Sequence, residues 1–213
     1  MAGKQRRQKS MRENPAAKAI LVVFAVFMLF SLVIYANDVI FKFDFIPSAD
    51  DIISWLNGKS NAVTVADGEI AVHFIDVEQG DCELIVSGDK TVLIDCGEKI
   101  HSERVKNYLK NQGIRKLDYI IATHPHEDHI GGMAEIMKEF TVGTVIMPEV
   151  PSDLLPMTQN FEDMLDTIDR RGITAEYSRL GRTLDLGNGA VLEFLAPVHD
   201  DYTNLNNYSI TCR

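Results

Sequence analysis

The chain has 213 residues, 46% of them hydrophobic and 24% charged, which leaves room for one sizeable domain and an accessory segment but not for two full domains. Its formal charge is −10; residues 1–18 hold Lys4, Arg6, Arg7, Lys9, Arg12 and Lys18 against Glu13 alone, so everything after residue 18 sums to −15. That acidity argues against a strong electrostatic nucleic-acid-binding surface, and three cysteines without C-x-x-C spacing argue against a disulfide framework or a cysteine-built zinc site.

The first predicted element follows the basic tail of residues 1–18. Residues 19–36 are uncharged, with only Ser31 and Tyr35 polar, and 18 such residues approach the about 20 that cross a bilayer core. A cleaved signal is the rival reading, but its apolar stretch is ordinarily shorter and Ile34-Tyr35-Ala36 is not a small-x-small exit. The expectation is an uncleaved transmembrane anchor. Basic residues ahead of the span keep the N-terminus cytoplasmic and place the rest outside the cell membrane, a single-pass arrangement. Residues 37–68 read as a stalk: Phe41, Phe43 and Phe45 alternate briefly, Pro47-Ser48 turns the chain towards a short helix, and Gly58-Lys59-Ser60-Asn61 is linker.

An ordered domain is expected over 69–213. Residues 70–77, 82–86 and 91–95 read as three strands of an antiparallel meander, with turns at Gly80-Asp81 and Gly88-Asp89. Val105, Tyr108 and Leu109 mark a helix stopped by Gly113, and Leu117–Ala122 is an apolar strand that runs straight into Thr123-His124. Met133, Ile136, Met137 and Phe140 predict a helix opening at Gly131-Gly132, followed by a strand over 142–147. Phe161, Met164, Leu165 and Ile168 predict another helix, capped by Thr158 and stopped by Gly172. Strands follow at 173–180, 183–186 and 190–195, with hairpin chemistry at Gly187-Asn188-Gly189. Interleaved strands and helices point to a layered α/β fold. Cys82 and Cys96 read as small buried hydrophobes.

Three of the six histidines fall within His124-Pro125-His126-Glu127-Asp128-His129. A strand ending at Thr123 throws His124 and His126 out of a loop on one side, and Asp128 with His129 adds an oxygen and a nitrogen a step later. Imidazole and carboxylate are ligands of zinc or a similar metal, and such a split set can serve two divalent ions about 3.5–4 Å apart. Zinc is expected ahead of manganese. Gly131-Gly132 is expected to let the backbone come close to the metals. His73, His101 and His199 read as ordinary side chains, and Asn207-Tyr208-Ser209 as part of a strand motif.

Residues 123–132, Thr-His-Pro-His-Glu-Asp-His-Ile-Gly-Gly, resemble the signature loop of the metallo-β-lactamase fold, in the version of the ComEC competence-type branch. Residues 74–81 resemble that branch's F-x-D-V-G-Q-G-D hairpin, residues 93–97 its L-I-D-T-G strand end, and residues 206–210 its N-N-x-S-L strand start. The resemblance implies a four-layer αββα fold. It assigns His124 and His126 to one metal, Asp128 and His129 to a second, Asp128 also to catalysis, and Asp95 to orienting the histidine loop. It implies a metal-bound water as nucleophile and a phosphodiester or nucleotide substrate.

Two departures stand out. Glu78 occupies a glycine position of the pattern, which removes a permissive backbone residue. The chain ends at Arg213, before the pattern's Gly-Asp strand end and His-His-Gly loop, so the expectation is a piece of a longer protein with the fold incomplete at its C-terminus. The functional expectation is therefore a membrane-anchored, extracytoplasmic metal-dependent phosphodiesterase or nuclease. The alternatives are an inactive binding or scaffold module, and a hydrolase of another ester, a lactone or a β-lactam.

Overall fold

The computed structural model describes residues 15–37, residue 52 and residues 65–213. The basic tail before residue 15, the alternation at Phe41, Phe43 and Phe45, and all of the expected stalk helix except Ile52 lie outside the described residues. Two compact units divide the chain, Met1–Lys59 and Ser60–Arg213.

In the first unit, helix α1 runs over Pro15–Ala36. Its stretch Lys18–Ala36 has a mean hydropathy of 2.8 and is long and apolar enough to cross a membrane. Large apolar side chains such as Leu21, Phe24, Phe27 and Leu32 are exposed along it.

The second unit is built on a mixed six-stranded sheet. Strands β1 (Ala71–Phe74), β2 (Glu83–Ser87) and β3 (Lys90–Ile94) form the antiparallel meander expected from the sequence, with Leu84 opposite Leu93. From β3 onward the pairing is parallel, through β4 (Lys116–Ile121), β5 (Thr141–Met147) and β6 (Thr174–Tyr177), in the order β1-β2-β3-β4-β5-β6. Parallel neighbours need crossovers, and helices supply them. These are α2 (Ser102–Asn111), the short α3 (Glu127–Ile130) with α4 (Met133–Glu139), and α5 (Gln159–Arg171).

A second sheet, in the order β7-β8-β9, comprises β7 (Thr183–Gly187), β8 (Ala190–Ala196) and β9 (Thr211–Cys212), all antiparallel. The β7–β8 turn places Gly187, Asn188 and Gly189 all at positive φ, as its residues lead one to expect. Helix α5 has Thr158 accepting from the Phe161 N–H and Gly172 left-handed at its C-terminal cap, so both predicted ends are found.

Helices and sheets meet in two cores. On one face of the large sheet, Val105, Leu109, Met133, Ile136, Phe161 and Met164 pack against Leu84, Leu93 and Ile120. On the other, Val92, Ile121 and Ile146 meet Leu184, Leu192 and Phe194 of the second sheet. Ile120 and Ile121 are consecutive and both fully buried, because β4 is covered on each side. Among the described residues the layers are thus helix, sheet and sheet, the α/β arrangement expected.

Some boundaries differ. The first strand stops at Phe74 rather than Val77, because Glu78 at φ 61° and Gly80 at φ 99° curl the chain into the turn. The strand expected over 173–180 covers only Thr174–Tyr177. Asp128 and His129 sit on the single turn α3 rather than in a loop, since Ile130 is fully buried and its N–H bonds the His126 carbonyl at 3.0 Å.

Candidate metal centre

The parallel strands β3, β4 and β5 deliver their carboxyl ends to one edge, where α/β sheets carry their sites. Just past β3, Asp95 is held with φ at 51°, a conformation that side chains other than glycine rarely adopt. Its N–H bonds the Ile121 carbonyl at 2.9 Å, which locks it beside the end of β4. The carboxylate, 1% exposed, accepts three hydrogen bonds: the Thr123 N–H at 2.8 Å, the Thr123 hydroxyl, and His129 Nδ1 at 2.7 Å.

These bonds order two imidazoles. With its Nδ1–H donated to Asp95, His129 keeps Nε2 free as a donor atom. Thr123 spends its hydroxyl proton on Asp95, so its oxygen is left to accept from His124 Nδ1, 3.2 Å away. The His124 ring lies 4.8 Å from that of His126 and 4.1 Å from that of His129. Asp128 Oδ2 stands 4.0 Å from His129 Nε2. All four loop residues assigned from the sequence, with Asp95, are therefore gathered at one place.

Electrostatics follow from burial and crowding. Burial, and then the neighbouring His129 and His126, push the His124 pKa down to about 4, which keeps it neutral. Burial pushes His129 down as well, but the bond to Asp95 and the charges of Asp95, Asp128 and Asp81 outweigh it and raise its pKa. Burial raises the Asp95 carboxyl despite its bonds to His129 and Thr123.

Imidazoles beside a carboxylate fit a divalent ion by donor type. Among the described residues no three or more His, Cys, Asp or Glu side chains are grouped so as to hold a metal ion. What the loop offers is two imidazoles, His124 and His129, each already tied at Nδ1, with His126 and Asp128 beside them.

Several contributors carried no assignment from the sequence. The Asn206 side chain hydrogen-bonds His124, and its signal was the 206–210 motif, read only as a strand start. Asp81 Oδ2 lies 3.9 Å from His129 Nδ1. Burial, with Asp81 and Asp95 nearby, pushes Glu83 up to about 7. Gly80 is required because a Cβ there would stand 1.7 Å from the Asp128 carbonyl oxygen. The close approach at Gly131 is to backbone: a Cβ would lie 2.5 Å from the Glu127 carbonyl oxygen and 2.7 Å from Lys99 N. Glu78 does not abolish the left-handed position of the pattern but occupies it at φ 61°, with its N–H on Asp76 at 3.0 Å and its carboxylate on Arg104 at 3.2 Å. His199 is exposed and packs edge-on to Tyr202, while His73 bonds the Tyr108 hydroxyl at 2.7 Å.

The family model described as the metallo-beta-lactamase superfamily matches residues 75–197. The anaerobic nitric oxide reductase flavorubredoxin of Pectobacterium atrosepticum is 30% identical over 116 residues, covering 52% of this chain and 20% of that protein. The protein of the same name from Klebsiella pneumoniae is 31% identical over 116 residues, covering 52% and 21%. The chain thus spans about a fifth of the length of these relatives. Among solved structures, Rm3 metallo-beta-lactamase is 19% identical at a TM-score of 0.47, covering 74% of this chain and 58% of that one. BJP-1, a subclass B3 metallo-beta-lactamase of Bradyrhizobium japonicum, is 18% identical at 0.47, covering 70% and 55%.

Proposed function

We propose a function from one premise: the chain belongs to the metallo-beta-lactamase superfamily. It is a metal-dependent hydrolase of phosphodiester bonds, held at the cell membrane by residues 19–36, with residues 1–18 cytoplasmic, 37–68 a stalk and 69–213 the outward-facing catalytic domain. Its branch is the ComEC competence type, supported by the four motifs at 74–81, 93–97, 123–132 and 206–210. The basic tail ahead of an exposed apolar helix supports the orientation.

The observation that carries the chemistry is the bonded chain from Asp95 to the imidazoles. His124 and His126 would hold one divalent ion, Asp128 and His129 a second, with zinc preferred over manganese. Ions held there supply Lewis acidity and a nucleophile at neutral pH. The chain's own part is positional. Asp95 fixes the His129 ring, Thr123 passes the same constraint to His124, and burial keeps His124 unprotonated and able to bind. A carboxylic ester or lactone is the second substrate class, favoured by the −15 carried after residue 18, which repels polyanions.

The test uses the purified full chain with bis(p-nitrophenyl) phosphate and metal analysis. Zinc should co-purify, and Asp128→Ala should lower hydrolysis on the order of a hundredfold or more with an unchanged circular dichroism spectrum. Full activity in that variant would remove Asp128 from the chemistry. Absence of diester hydrolysis together with cleavage of esters would move the assignment to the second class.

A further inference from the structure

Beside the histidine loop lies an apolar cavity of about 100 Å³ with His124 in its wall. We propose that it is a substrate subsite that receives a short aliphatic arm, about four carbons long, attached to the group being hydrolysed. This rests on the hydrolase reading above and specifies its substrate.

Four features lead there. Met147, Val150, Leu155, Phe161, Met164 and Leu165 line the cavity, no Lys, Arg, Asp or Glu does, and its polar side chains are His124 and Tyr177 alone, so its body favours an apolar group over a phosphate or sugar. Its floor is fixed, since Phe161 and Met164 are buried on α5. Its mouth reaches solvent, since Leu165 and Tyr177 are 39% and 49% exposed. Its size also selects: an apolar cavity of about 150 Å³ holds benzene, so this one takes a butyl-sized group. Because His124 belongs both to this wall and to the imidazole cluster, an arm seated here brings the adjoining ester or diester against the histidine loop. Binding energy from such a non-reacting arm is what orients the reacting group.

The test is a series of p-nitrophenyl alkyl phosphodiesters with methyl, propyl, butyl and octyl arms, on the zinc-loaded full chain in lipid nanodiscs. From methyl to butyl, kcat/KM should rise on the order of tenfold or more, then level off at octyl, where the arm outgrows the cavity. Leu165→Trp, which fills the mouth, should bring the butyl-to-methyl ratio close to one. A flat series in an active enzyme overturns the proposal, as does an unchanged ratio in a folded Leu165→Trp. A second readout does not depend on turnover or on the variant: the methyl resonances of Met147 and Met164 should shift saturably with dibutyl phosphate and not with dimethyl phosphate. If no diester is hydrolysed, the phosphodiesterase reading falls and these methyl shifts alone decide the subsite; unmoved methyls overturn it.

Discussion

At Asp95, three donors from two segments meet one buried carboxylate: a backbone N–H and a hydroxyl from Thr123, and an imidazole from His129, 34 positions away. The residue is held at positive φ, a conformation that costs on the order of 1–2 kcal/mol for an L-residue. The surrounding bonds offset that cost and aim the carboxylate at the histidine loop. Asp95→Asn replaces an oxygen that accepts from His129 by a group that does so less well, freeing the ring to turn. Zinc affinity measured by calorimetry should fall about 10- to 100-fold, with the fold retained; unchanged affinity would leave Asp95 a purely structural role. The sequence made Asp95 legible through its motif. It gave no sign that Thr123 relays the constraint to His124, because that depends on side chains meeting across strand ends.

Element by element, the strongest local signals translated directly. In α5, Thr158 and Gly172 cap a helix whose Phe161, Met164 and Ile168 are buried, as the three-four spacing dictates. Phe161 joins the large core to the apolar cavity. Phe161→Ala should therefore destabilise the domain by about 3–5 kcal/mol in denaturant melts. A loss below about 1 kcal/mol would mean that the cavity collapses around the smaller side chain. Shorter elements were less legible. Glu127–Ile130 is one helical turn, too short to show a period, and it forms because Ile130 is drawn into the core. β1 ends early because its turn closes on Asp128: Gly80 abuts the carbonyl of that residue, and Arg104 holds Glu78 in the left-handed conformation. Contacts of that kind join segments far apart in the chain, and neither segment announces them.

For the molecule as a whole, acid stability depends on paired carboxylates as well as on the core. Asp118 on β4 accepts from the Thr91 N–H at 3.1 Å and from Lys116 Nζ at 2.6 Å, with Lys90 at 3.7 Å. Burial pushes its pKa up, but the bond to Lys116, the Thr91 N–H and the two lysine charges together hold it below the usual carboxylate value. A depressed folded pKa means that the unfolded chain binds the proton more readily. Asp118 therefore contributes stability above the ordinary carboxylate pKa of about 4, and that contribution is lost as pH falls through its lowered value. In chemical denaturation across pH, the stability advantage of the native chain over Asp118→Asn should be largest near neutrality and shrink below about pH 4; a constant difference would show that the pairing is not linked to the proton.

The sequence by itself determined the apolar helix, the meander, the helix that Thr158 and Gly172 bound, and the dense run of ligand-type side chains at 124–129. Each is written in neighbouring residues, as hydrophobic period, turn chemistry or a dense run of ligand types. Tertiary structure decided what those side chains touch: which imidazole nitrogen is tied to Asp95, the contact of Asn206 with His124, the charged turn pinned by Arg104, and the apolar cavity that shares His124 as its wall. These arise where strand ends, a crossover helix and a distant loop are packed against one another. Their energies belong to pairs separated by tens of residues, which no local pattern encodes.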